Sequence, residues 1–243
     1  MESLRPASTV IVLRAAADAP FEVLMVRRHD KVAFMAGAYV FPGGRVDEAD
    51  RQGAAPATEA PSRFTDLTPV EEAAYRRAAV RELQEEAAVT LPVEALIPLA
   101  HWVTPDIEIR RYDTRFFLAV VPAGQHAQHD NHETTALAWL TPDQAIVEYR
   151  ADRILLPPPT WTTLRQLARH TSLDAAVTWA RTRPIVRVQP GFLKREADTL
   201  LTLPGDPLYP AIEGWEVPAE TRFRLDEGRW RPVTVEPGLA PDA

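Results

Sequence analysis

The chain reads as a mixed α/β protein, and three observations predict this. Runs of β-branched and apolar residues at 9–13 and 21–26 have the composition of strands. Residues 69–88 form one long stretch of strong helix formers that carries its own start signal. The run at 110–121 has a charged entrance and a continuously apolar exit, the pattern of a strand covered on both faces.

Taken in order, residues 9–13 and 21–26 are separated by a polar stretch and suggest a hairpin. Arg27, Arg28 and His29 close the second strand. Arg28 is a candidate phosphate contact, or else a solvated strand-end cation; His29 reads as structural or exposed. After a loop at 30–37, residues 38–41 return as a short strand. It runs into Val40-Phe41-Pro42-Gly43-Gly44, a tight turn whose glycines let backbone approach a ligand closely. Residues 48–62, rich in Ala, Asp, Gln, Pro and Gly, have loop composition, and long loops inside compact domains are often lids or binding loops.

The helix at 69–88 opens on Thr68 as N-cap, Pro69 at the first helical position and Glu71 completing a capping box. A strand is expected at 95–103. On the strand at 110–121, Arg111 and Arg115 are four apart and share a face if the strand is regular. They could reach phosphate, or pair with surface carboxylates. The polar segment 124–132 holds His126, His129 and His132. On a helix that spacing would suggest zinc or copper, but the composition is that of an exposed loop.

A strand follows at 136–140 and a capped helix at 141–149, then the break Leu155-Leu156-Pro157-Pro158-Pro159. Short helices are expected at 160–169 and 172–181. Strand-like pieces follow at 185–188, 199–203, 221–225 and 229–233, separated by turn signals. The division this suggests is a core at 1–150, with an insertion at about 49–67, and an extension at 151–243 packed on it.

Composition narrows the function classes. The 243 residues are 46% hydrophobic and 25% charged, as in ordinary globular proteins, and suffice for one core or a domain with an extension. Without cysteine there is no disulfide, thiolate metal site or cysteine nucleophile. A net charge of -7 argues against nucleic acid as a partner. No apolar run is long enough for a membrane span, and the first residues lack a signal-peptide core, so a cytoplasmic protein is expected.

The chemistry gathers on the helix. Glu82, Glu85 and Glu86 stand at i, i+3 and i+4, so three carboxylates share one face. Like charges there repel unless a cation sits among them, and Mg²⁺ or Mn²⁺ suits oxygen donors. The bland alternative is a solvated acidic face. Gly44 and the run Arg81-Glu82-Leu83-Gln84-Glu85-Glu86, closed by Val89, resemble the signature of the Nudix hydrolases, G-x5-E-x7-R-E-U-x-E-E-x-G-U with U apolar. Asp50 stands where the first Glu is expected, Ala88 replaces the late Gly, and the insertion interrupts the box. The interrupted box, with Trp102-x-Thr104-Pro105 and Asp113-Thr114-Arg115-Phe116-Phe117, is similar to the coenzyme A diphosphatase branch.

The resemblance implies an α/β/α sandwich with a mixed sheet and metal-dependent hydrolysis of a pyrophosphate linkage in a small nucleotide substrate. It makes Glu82, Glu85, Glu86 and the Gly44 carbonyl metal ligands, and Arg81 the residue that orients the carboxylates. Glu85 and Glu82 are the expected catalytic groups, and Glu133 is a candidate base or extra ligand. Arg28, Gly43, Arg111 and Arg115 are the candidate substrate contacts. Coenzyme A or an acyl-CoA is the leading substrate, with ADP-ribose, NADH or a non-catalytic sensor as alternatives. The C-terminal third could shape substrate choice or a homodimer contact.

Overall fold

The computed structural model describes residues 4–29, 36–52, 61–122, 124–125, 127–128, 134–195 and 198–235. In chain order its first half holds β1 (Arg5–Arg14), β2 (Glu22–Arg28), β3 (Tyr39–Val40), β4 (Gly43–Arg45), α1 (Glu48–Arg51), α2 (Pro69–Ala87), a 3-10 turn at Val93–Ala95, β5 (Ile97–Val103) and β6 (Tyr112–Val120). Then come β7 (Thr134–Leu140), α3 (Pro142–Arg150), α4 (Pro158–Leu167), α5 (Leu173–Thr182), β8 (Arg187–Val188), β9 (Gly191–Lys194), β10 (Thr199–Thr202), β11 (Arg222–Asp226) and β12 (Arg229–Val233).

The main sheet has eight strands in the order β3-β2-β1-β6-β5-β8, with β4 also on β1 and β7 also on β2. It is mixed: β1 runs parallel to β6 over nine paired residues, while β5 and β6 are antiparallel. A second, four-stranded antiparallel sheet is ordered β12-β11-β10-β9. Alternation along β1 divides the interior. Val10 and Val12, with Phe117 and Ala119 of β6, pack on Ala74, Ala78 and Leu83 of α2. Ile11 and Leu13, with Phe116 and Leu118, join a cluster that includes Ile146 of α3, Trp161 and Leu164 of α4, Ala176 of α5 and Leu201 of β10. Helices therefore cover both faces, the α/β/α sandwich expected, and residues 10–13 of β1 and 116–119 of β6 are continuously apolar because both faces are buried there. Residues on both sides of position 150 share one core cluster.

Several local expectations shift. The segment 48–62 was expected to be a loop but begins with helix α1, started by a capping box between Asp47 and Asp50. Gly43 and Gly44, read as a turn, pair with Thr9 and Ser8 as strand β4, because register with β1 outweighs glycine's poor strand propensity. The expected strands at 95–103 and 110–121 start two residues later, and β9 was not anticipated. The α2 start matches in detail: Thr68 Oγ1 accepts from Glu71 N, and the Glu71 carboxylate accepts from Thr68 N. Among the described residues no helix is long and apolar enough to cross a membrane.

Candidate active site

The site is built where β4 lies against α2. A Cβ on Gly43 would sit 2.7 Å from Thr9 Cα and collide with the Ser8 carbonyl, so strand pairing requires bare backbone there. At Gly44 the obstacle differs: a Cβ would run into the carboxylate of Glu82. The absence of a side chain at Gly44 is what allows Glu82 to come past the strand. Beneath β4, the buried Glu86 carboxylate accepts the Gly43 N–H at 2.9 Å.

Arg81 organises the acidic groups. Its Nη1 donates to Glu82 at 2.8 Å and to Glu85 at 3.1 Å. Its Nε and Nη2 donate to the two oxygens of Asp50 at 3.2 and 3.0 Å, and Nη2 also reaches the Arg45 carbonyl. The Asp50 hydrogen bonds, and then the Glu82 charge, raise the Arg81 pKa against the opposing effect of desolvation. The expected orienting role of Arg81 therefore has a geometric basis in these contacts. The buried Asp50, one methylene short of glutamate, reaches Arg81 because helix α1 carries it there.

A cavity of about 490 Å³ opens on this cluster, lined by Arg28, Gly43, Gly44, Arg81, Glu82 and Glu85 among others. Its floor is the sheet face opposite α2, with Thr9, Trp102, Thr114 and Phe116. Its other side is supplied by Pro157 to Thr160, Leu201 and Trp230.

Not every candidate gathers there. Glu86 supports strand β4 and does not line the cavity. Arg115 lies under the α2 face, paired with Asp66 at 2.7 Å and Asp113 at 3.1 Å and covered by Phe64 and Tyr75. Burial pushes the Asp113 carboxyl up, but the His101 hydrogen bond and the Arg115 guanidinium outweigh it and hold it below its ordinary range. Arg111 pairs with Asp106 and reaches the Thr104 carbonyl. Neither arginine lines the cavity. Glu133, His126, His129 and His132 lie outside the described residues. Sequence reasoning did not assign Trp102, Thr104, Tyr112, Thr114 and Phe116 to the cavity. The available signal was two-residue spacing, Tyr112, Thr114 and Phe116 along β6 and Trp102 and Thr104 at the end of β5, which puts each set on one face.

No three acidic or imidazole side chains converge on one point among the described residues. The reason is visible: the Arg81 guanidinium bridges Glu82 and Glu85, and Glu86 is turned to Gly43. The donor chemistry still fits a hard divalent cation. Asp50, Glu82 and Glu85 bring three negative charges against one guanidinium, every donor is oxygen, and the Gly44 backbone lies directly against Glu82.

Comparison with known proteins points one way. Residues 90–167 match the family described as the NUDT19 Nudix domain. That match begins beyond α2, so it is a witness separate from the Arg81–Glu86 run. The chain is 26% identical over 273 residues to the acyl-coenzyme A diphosphatase NUDT19 of Xenopus laevis, covering 78% of this chain and 72% of that protein. The Homo sapiens protein of that name is 28% identical over the same shares. Among solved structures, a NUDIX hydrolase from Alicyclobacillus acidocaldarius superposes with a TM-score of 0.60 at 24% identity, covering 73% of this chain and 97% of that one, a likeness of fold. Signature helix, separate downstream match and sandwich agree in what they liken the chain to: the Nudix hydrolases in sequence, and a solved NUDIX hydrolase in fold.

Proposed function

We propose that this protein hydrolyses the pyrophosphate linkage of coenzyme A or an acyl-CoA with Mg²⁺ or Mn²⁺, giving adenosine 3',5'-bisphosphate and 4'-phosphopantetheine or its acyl thioester. The observation that carries this reading is the cavity, in which a wall of carboxylates and arginines adjoins an uncharged compartment. Similarity to proteins named acyl-coenzyme A diphosphatase over 78% of the chain supports the substrate class. Glu82 and Glu85, with the Gly44 carbonyl, would hold the cation. When bound, such an ion neutralises phosphate oxygens and lowers the pKa of water.

The chain's own residues do the rest. A water oxygen attacks one phosphorus, the bridging P–O bond breaks, and the leaving phosphate departs with the bond's electron pair. Glu85 lines the cavity with its side chain 57% exposed, which supports the reading that it takes the proton that the water loses. Arg81, held on Asp50, fixes the directions of Glu82 and Glu85. Arg28 lines the same cavity and is suited to a phosphate oxygen.

The test is incubation with Mg²⁺ or Mn²⁺ and a panel of CoA, acyl-CoAs, ADP-ribose, NADH and nucleoside triphosphates, with products identified by mass. Preference for CoA or its thioesters is expected. Preference for ADP-ribose or NADH would overturn the substrate and leave the reaction. Glu85→Gln should abolish turnover; unchanged cellular behaviour of that variant would favour a ligand sensor.

A further inference from the structure

The cavity is unevenly charged. Arg28, Arg45, Asp47, Arg81, Glu82 and Glu85 all come from the β2–β4 and α2 side, and Glu108 from the segment after β5. The roof carries no charge: Pro157, Pro158, Pro159 and Thr160 at the head of α4, Leu201 of β10 and Trp230 of β12. Trp230 is also held firmly. Its carbonyl accepts from the Tyr149 hydroxyl, and its neighbours Arg229 and Arg231 both bond Asp152, at 3.0 and 2.8 Å. A large indole packed against the core, on a strand tied down at three consecutive positions, presents a preformed apolar surface at small entropic cost on binding.

We propose that Trp230 is a specificity-determining residue, and that the roof takes the uncharged acyl-pantetheine arm of the substrate, with the phosphorylated nucleotide half on the arginine side. The inference rests on the CoA reading for its substrate. The physical reason is charge: a 3'-phosphate beside adenine needs cations, and the roof offers none, whereas an acyl thioester gains from apolar burial. It makes the region beyond position 150 part of the substrate site.

The experiment titrates the whole protein with two half-substrates by calorimetry, S-octanoyl pantetheine and adenosine 3',5'-bisphosphate. Wild type should bind both. Trp230→Ala should weaken the acyl arm by about tenfold or more while moving the bisphosphate by no more than about twofold. Trp230→Phe, which keeps an aromatic ring and the fold, should recover most of the loss. Absence of acyl-arm binding to the wild type would overturn the inference, as would a loss falling on the bisphosphate or equally on both probes. The expected binding pattern in a protein that leaves CoA uncleaved would sink the proposed reaction and keep the assignment of the roof.

Discussion

At the residue scale the two glycines of β4 make opposite predictions from adjacent positions. A methyl group at Gly43 meets fixed backbone, Thr9 Cα at 2.7 Å, so Gly43→Ala should destabilise the fold. At Gly44 it meets only the end of the Glu82 side chain, which can swing away. Gly44→Ala should therefore melt near the wild-type temperature yet lose on the order of a hundredfold in kcat, the scale of a misplaced catalytic group. An unchanged kcat in folded Gly44→Ala would show that the position of Glu82 is unimportant. Asp50 offers a companion test. Asp50→Asn keeps the shape but removes the charge that accepts two Arg81 donors, so activity or metal affinity should fall about ten- to hundredfold, as when other supporting partners of ligands are removed. Of these residues, the i, i+3, i+4 carboxylates were legible because helical periodicity is local. The distinct duty of Glu86 was not, because it depends on a Gly43 N–H 43 residues away.

At the element scale α2 begins well and ends under strain. Its start satisfies two N–H groups through Thr68 and Glu71, a motif written in four consecutive residues and readable without a structure. Its end places Ala88 at φ 54°, the left-handed region that a Cβ disfavours. Ala88→Gly, which restores the residue of the family signature, should stabilise by about 1 kcal/mol. Thermal unfolding should then shift upward by roughly 2–4 °C for a chain of this size. No rise in midpoint would mean the strain is already relieved elsewhere. Strands were harder to place than this helix. The identity of β4 comes from its register with β1, and the choice for Arg115 between phosphate and a carboxylate partner stays open until Asp66 and Asp113, one of them 49 residues away, are seen to neutralise it.

At the scale of the whole molecule, the end of the insertion ties the sheet to the C-terminal helices. Arg63 Nη1 donates to the Pro98 carbonyl of β5 and the Ala180 carbonyl of α5, both at 2.9 Å, and its Nη2 to the Arg183 carbonyl at 2.7 Å. The latter two acceptors lie at the C-terminal end of α5, where carbonyls lack helical partners and a cation is favoured. Sequence offered no sign of this clamp, because all three acceptors are backbone atoms and two lie more than a hundred residues away. Phe64, next in the chain, is buried against Phe117, so the clamp is anchored in the core on the α2 face. Arg63→Met should keep the stem packed and lose the donors. The expected cost is about 1–3 kcal/mol for acceptors left without a partner. The loosening should be local, since the Phe64 anchor stays in place. Hydrogen exchange should therefore accelerate in α5 and across residues 183–188 more than in α2. Equal acceleration in α2 and α5 would mean that the guanidinium stabilises the fold as a whole. If only α5 responds, the clamp is the tie that keeps the helix, and through β8 the segment leading to Pro190 and the cavity roof, in place against the sheet.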